Sequence, residues 1–169
     1  GDPLGLDYPY FSDEDPDGTY EPVFVDAVVS NPPYSQKYDP EPIRDSARFA
    51  EYGLPPASKA DYAFLLHGLY HLKSDGVQVI VLPHGVLFRN EELGIRTKLI
   101  KKHQIEAIIG LPANVFFGTG IPTTFMVLKK QRDDDSILFI DASKGFVKDG
   151  NKNKLREADI QRTCLLYTS

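Results

Sequence analysis

Val23-Phe24-Val25-Asp26-Ala27-Val28-Val29, running on into Asn31-Pro32-Pro33-Tyr34, is the stretch on which the reading of this chain turns. Its β-branched and aromatic side chains suit a short buried strand. The paired prolines end that strand, because neither can donate to a sheet ladder. Elements alternate from there. A helix is expected from Ser58, with Asp61 three residues on as in a capping box, then Ala60, Ala63, Phe64, Leu66, Leu69, Tyr70 and Leu72, and Gly76 as its stop. Val77 to Leu82 reads as a second buried strand, halted by Pro83. Glu91 to His103 reads as a second helix, its acids first and Lys98, Lys101 and Lys102 last, as the helix dipole favours. Ile105 to Gly110, Thr123 to Lys129 and Ile137 to Asp141 read as three further strands, with Asp133-Asp134-Asp135 a solvated turn.

Strand, helix, strand, helix, strand predicts an α/β fold with parallel strands and helices on the sheet faces. The late strands without helices between them predict an antiparallel hairpin at one edge. Ligands of such sheets bind beyond the C-terminal ends of the strands, and Asn31 to Tyr34 lies at one of those ends. Residues 1–22, rich in Asp, Glu, Pro and Gly, read as a connecting segment. Residues 35–57, with four more prolines, read as a long loop of the kind that is functional or mobile.

The chain has 169 residues, enough for one domain with a sizeable core. No apolar run reaches the length of a membrane span and no signal peptide is apparent, so a cytoplasmic protein is expected. The single cysteine, Cys164, allows no internal disulfide and no cysteine metal site. A net charge of −5 argues against a stand-alone binder held to nucleic acid by a basic surface. The charge is uneven: residues 1–75 hold 14 acids and 5 bases, and the remainder 10 acids and 14 bases. The basic half either faces a phosphate backbone or is a set of solvated helix ends and loops.

Asn31 and Pro32 each precede a proline and are held in extended geometry. With no N–H on Pro32 or Pro33, the Asn31 and Pro32 carbonyls stand in a stiff stretch poor in donors. The Asn31 side-chain oxygen adds an acceptor and Tyr34 adds a flat aromatic face. Acceptors beside an aromatic plate suit a planar group bearing an NH2. The lone pair of such an amine is delocalised into its ring. Gripping its hydrogens frees that pair for an electrophilic methyl and stabilises the positive charge that then develops. No covalent enzyme intermediate is needed. A plain strand-ending turn is the alternative, but the position at the end of a buried strand favours the site. A proline-rich WW-type ligand is disfavoured, because Pro-Pro-x-Tyr does not occur.

Asn31-Pro32-Pro33-Tyr34 resembles the catalytic motif of amino-methyltransferases that use S-adenosylmethionine. Three longer blocks resemble the modification subunits of type I restriction–modification systems. They are Ala60-Asp61-Tyr62-Ala63-Phe64, Val81-Leu82-Pro83-His84-Gly85-Val86-Leu87-Phe88-Arg89, and residues 108–124, from Ile108 through Leu111-Pro112-Ala113-Asn114-Val115-Phe116 to Thr124. Phe139-Ile140-Asp141-Ala142-Ser143-Lys144 and the basic stretch after it are similar to the same family. The resemblance implies a Rossmann-like methyltransferase sheet, with residues 23–163 as the C-terminal part of the catalytic domain. It implies methylation of the exocyclic N6 amine of an adenine flipped out of double-stranded DNA. On that template Asn31 and the Pro32 carbonyl grip the amine, Pro33 holds their geometry, and Tyr34 stacks on the base. Phe116 packs on the base's edge or other face, with Phe117 as the near alternative. Without the resemblance, Phe116 reads as a core aromatic; Asp61 reads as a helix cap and is left out of the site.

The implied partners are a specificity subunit that reads the DNA sequence and a restriction subunit in the larger assembly. The family's Gly-rich cofactor loop does not occur in these 169 residues. Gly118-Thr119-Gly120 comes too late in the chain to stand for it. The expectation is therefore a C-terminal catalytic fragment that neither binds the cofactor well nor methylates by itself. The start at Gly-Asp-Pro without Met reads as a truncation, and residues 164–169 read as adapter-derived sequence. A protein-glutamine or RNA-guanine amino-methyltransferase is the enzymatic rival, and a catalytically dead scaffold for DNA or a partner subunit is the other. His67 and His71, four apart without a third ligand, read as surface or boundary histidines rather than a metal pair. Lys144, Lys148, Lys152, Lys154 and Arg156 read either as phosphate contacts or as a solvated segment.

Overall fold

A computed structural model describes residues 4–5, 22–116 and 119–168. Most of the expected connecting segment 1–22, and Phe117, Gly118 and Ser169, lie outside the described residues. Strands β1 (Val25–Ser30), β2 (Leu72–Pro83), β3 (Ile105–Gly110), β4 (Thr123–Lys129) and β5 (Leu138–Asp141) form one sheet. Helix α1 (Asp61–Tyr70) joins β1 to β2, and helix α2 (Leu93–Lys101) joins β2 to β3. A two-stranded hairpin, β6 (Val147–Asp149) with β7 (Lys152–Lys154), and helix α3 (Glu157–Thr168) follow.

The sheet order is β1-β2-β4-β3-β5. β1 runs parallel to β2 and β3 parallel to β5, while β4 is antiparallel to both β2 and β3. The α/β class holds, but the antiparallel element is not a hairpin closing an edge: β4 is inserted between β2 and β3. Five of its seven residues are buried, which requires cover on both faces. β5 takes the edge instead, with only Ile140 buried. β1, expected as a buried strand, is the other edge of the described sheet, and Val29 is 83% exposed.

Helix α1 starts at Asp61 without a side-chain cap, so the Ser58 capping box does not form. It ends at Tyr70, and β2 begins at once. Gly76 therefore does not stop a helix but lies inside β2, beside the register shift between Val25 and Ala27. A Cβ there would come 3.0 Å from the Lys73 carbonyl oxygen and 3.1 Å from that of Asp26, so any other residue requires these backbones to give by a few tenths of an ångström. Residues 35–57 are not a structureless loop. They include a 3₁₀ turn at Glu41–Ile43 and bury Ile43 and Phe49 in the core.

Side chains alternate between the two sheet faces. Ile80, Leu82, Ile108, Met126 and Leu128 face α1 and α2 and pack with Tyr62, Leu65, Leu66, Leu69 and Leu99. Each such buried side chain stabilises the fold by about 1.5–3 kcal/mol. Val77, Val79, Ile109, Phe125 and Val127 point the other way and line, with α3, an apolar groove of about 370 Å³. α3 buries no residue of its own. Among the described helices none is long and apolar enough to cross a membrane.

Candidate active site

Since β1, β2 and β3 run in one direction, the segments that follow them leave the same end of the sheet. These are residues 31–35, 84–92 and 111–116. This is the end at which open α/β sheets bind ligands.

Pro32 is buried, Asn31 and Pro33 are exposed, and Tyr34 is half-buried. The Tyr34 hydroxyl donates to Asn31 Oδ1 over 2.8 Å. Burial pushes the Tyr34 phenol above its ordinary pKa, against the opposing pull of that hydrogen bond, so at neutral pH it is an uncharged donor. Phe116, 82 residues further on, stands edge to face with Tyr34, ring centroids 6.4 Å apart and planes at 72°. That spacing is within the range of favourable aromatic pairs. Phe116 is anchored below by Ile109, Leu111 and Ile140. The sequence-derived site residues Asn31, Tyr34 and Phe116 thus meet in one place.

The loop that carries Phe116 is clamped by the β6–β7 hairpin. Lys152 Nζ donates to Asn114 Oδ1 (3.1 Å) and to the Phe116 carbonyl (3.0 Å), and Asn153 Nδ2 donates to the Ala113 carbonyl (2.7 Å). Asn114 takes a positive φ of 59°, which an asparagine tolerates better than most residues. Of the five basic residues read as one stretch, Lys152 is thus engaged internally, and Arg156 pairs with Asp159 at 2.8 Å.

Asp61, taken from sequence as a cap, is fully buried in an ion-pair network instead. Its Oδ1 accepts from the Ser35 backbone N–H (2.7 Å), and its Oδ2 accepts from Arg89 Nη2 (2.6 Å) and the Ser35 hydroxyl (3.2 Å). Arg89 Nε also donates to the buried Glu92 (2.8 Å). Burial alone would lower the Arg89 pKa, but Asp61 and Glu92 more than reverse it and the guanidinium stays charged. Burial pushes the Glu92 carboxyl up, further than Arg89 pulls it back, and Asp61 adds repulsion. The readable signal was a carboxylate set in the otherwise apolar run Ala60-Asp61-Tyr62-Ala63. The Val86 carbonyl accepts from the Tyr62 hydroxyl (3.0 Å) and Arg96 Nη1 (3.1 Å), which fixes the turn leading to Arg89.

His67 lies on the less buried face of α1 and His71 directly after its end, rings 4.8 Å apart; His67 is a boundary residue as expected, whereas His71 is buried. His67 Nδ1 meets Arg48 Nη1 at 3.1 Å, and His71 Nδ1 meets the Val23 carbonyl at 2.6 Å. Among the described residues no cluster of His, Cys, Asp or Glu could hold a metal ion. Beside the motif lies a hollow of about 240 Å³, walled by Val28, Pro32, Pro33, Phe64, His67 and Gly68 among others. Its walls bring no carboxylate for ribose hydroxyls.

The N-6 DNA Methylase family model matches residues 9–169. The chain is 42% identical over 150 residues to the type I restriction enzyme MpnII methylase subunit of Mycoplasma pneumoniae, covering 85% of this chain and 28% of that protein. It is 32% identical over 155 residues to the MjaVIII methylase subunit of Methanocaldococcus jannaschii, covering 85% of this chain and 26% of the other. The crystal structure of a type I restriction–modification methyltransferase subunit from Streptococcus thermophilus superposes with a TM-score of 0.89 at 48% identity, over 99% of this chain and 35% of that one. The chain thus spans about a third or less of each of these relatives.

Proposed function

Because the chain belongs to the N-6 DNA methylase family, we propose that it forms the base-holding part of a DNA methyltransferase subunit that modifies the N6 amine of a flipped-out adenine. The meeting of Asn31, Tyr34 and Phe116 at the C-terminal end of the sheet carries this reading. Asn31 Oδ1 and the Pro32 carbonyl accept the two amine hydrogens. That draws the nitrogen lone pair out of conjugation and stabilises the charge growing on nitrogen. Tyr34 stacks on the base, and Phe116 closes its edge or other face. Base flipping is required because a paired, stacked amine cannot enter such a site.

S-adenosylmethionine, the cofactor that the family implies, supplies an electrophilic sulfonium methyl when bound. Its nucleoside contacts are assigned to residues outside these 169, so the chain by itself is expected to show no turnover. The partners in this reading are double-stranded DNA, a specificity subunit that reads the sequence and a restriction subunit. Residues 23–163 are the catalytic part.

The test is methyl transfer from labelled S-adenosylmethionine by the subunit carrying this chain, assembled with its specificity subunit. N6-methyladenine in the digested DNA is the expected product. Label in a glutamine-bearing protein or in RNA guanine would replace this reading with another methyltransferase. No label in any of the three would leave a scaffold.

A further inference from the structure

We propose that Asp61 and Arg89 are positioning residues of the base site, acting through Ser35. The inference rests on the reading of Asn31 and Tyr34 given above. Ser35, directly after the motif, has φ +49°, a left-handed conformation that a non-glycine residue adopts at a cost. Glycine would adopt it freely. Here a serine is held there from outside, its N–H donating to Asp61 Oδ1 at 2.7 Å and its hydroxyl to Asp61 Oδ2 at 3.2 Å. Arg89 holds Asp61 in turn at 2.6 Å and reaches the Ser35 hydroxyl at 3.3 Å, while Glu92 takes the remaining side of the guanidinium.

Three charged side chains on two segments, two of them fully buried, are a poor way to gain stability alone, because desolvation offsets most of the attraction. What the network does here is define one backbone direction. It turns the chain sharply at Ser35, and with it fixes where the Tyr34 ring and the Asn31 oxygen stand relative to Phe116. Asp61 and Arg89 do not touch the base in this account. They set the geometry of the residues that do.

The test compares Asp61→Asn, Arg89→Lys and the double variant Asp61→Asn with Ser35→Gly in the full methyltransferase subunit. Misplacing a reacting group by about 1 Å costs up to about 100-fold in rate, so each single variant is expected to lower kcat roughly 10- to 100-fold. KM for DNA is expected to stay within about threefold, because ground-state DNA contacts are untouched. Ser35→Gly removes the left-handed strain and is expected to restore part of the kcat lost in Asp61→Asn. A control, Tyr62→Phe, removes a neighbouring buried hydrogen bond without touching Ser35. Activity that only follows melting temperature across all variants, with no rescue by Ser35→Gly, overturns the proposal. Amide hydrogen exchange at Ser35, read on this chain by NMR, is expected to accelerate in Asp61→Asn. An unchanged rate overturns the proposal whether or not the wild-type subunit methylates adenine, so the two readings fail separately.

Discussion

The Tyr34 hydroxyl rests 2.8 Å from Asn31 Oδ1, donating to the oxygen that the proposed reaction needs as an acceptor. In the proposed reaction an entering amine takes the place of this phenol three residues away. An entering base exchanges one hydrogen bond for another, and such an exchange is nearly neutral in free energy.

Substitutions at these two positions are therefore expected to separate. Asn31→Ala removes the acceptor itself and should lower kcat about 10²- to 10³-fold, as loss of one preorganised transition-state contact does. Tyr34→Phe keeps the ring and removes only the parked hydroxyl, so kcat/KM should stay within about tenfold. Tyr34→Ala should lose the stacking, about 1–3 kcal/mol of base binding. Steady-state methylation of a single-site duplex distinguishes them. Inactivation by Tyr34→Phe as deep as by Asn31→Ala would mean that the phenol takes part in the chemistry.

Lys152 is the second case where contacts in the fold decide between readings. Its ammonium group reaches Asn114 Oδ1 and the Phe116 carbonyl. Lys152→Met should therefore loosen the Phe116 loop and weaken base holding by about 1–3 kcal/mol, the range for losing a charged hydrogen-bond donor. The salt dependence of DNA binding discriminates. A phosphate contact would reduce the slope of log K against log salt by about 0.9 on substitution, whereas a loop clamp leaves the slope unchanged.

Local features were the legible ones. β3 and β4 run over the residues that their apolar patterns mark, and the proline pair after β1 ends its strand as proline chemistry requires. Asn31 and Tyr34 could be named because three residues of chain bring them together. The order of the strands was not legible, because the insertion of β4 between β2 and β3 depends on which faces of distant segments find cover. Asp61 was missed for the same reason. Its partners Ser35 and Arg89 lie 26 and 28 residues away, so the apolar run around it marks a buried carboxylate but not the groups it pairs with. Phe116 was named only by resemblance, and nothing in its spacing distinguishes a pocket aromatic from a core one.

The end of α3 should be dispensable for folding. Cys164, Leu165 and Leu166 are exposed, and the helix buries no residue. A side-chain bond to the sheet runs from the Tyr167 hydroxyl to Glu106 (2.7 Å), which also pairs with Lys129 (2.7 Å). Deleting residues 164–169 should cost no more than about 1 kcal/mol in a urea titration, the worth of an ordinary hydrogen bond. Leu99→Ala, by contrast, empties a fully buried site and should cost about 2–5 kcal/mol. A loss of similar size on truncation would show that α3 is needed to close the apolar groove.

His67 sets the last expectation, which concerns acid. Burial, with His71 and the Arg48 guanidinium beside it, lowers its pKa to about 4. The unfolded chain returns it to about 6.5. Between those values the unfolded state binds more protons than the folded one, so stability rises with pH across that window. The contribution is complete above about pH 6.5 and is lost as pH falls toward 4. Glu92, raised by burial, acts with the opposite sign in the acid range, so the raw pH profile mixes the two. Comparing the chain with His67→Gln separates them, since glutamine can still accept from Arg48 but does not titrate. The variant should lose less stability on acidification from pH 6.5 to pH 4.5 than the parent does. Parallel curves would place the acid sensitivity elsewhere than at His67.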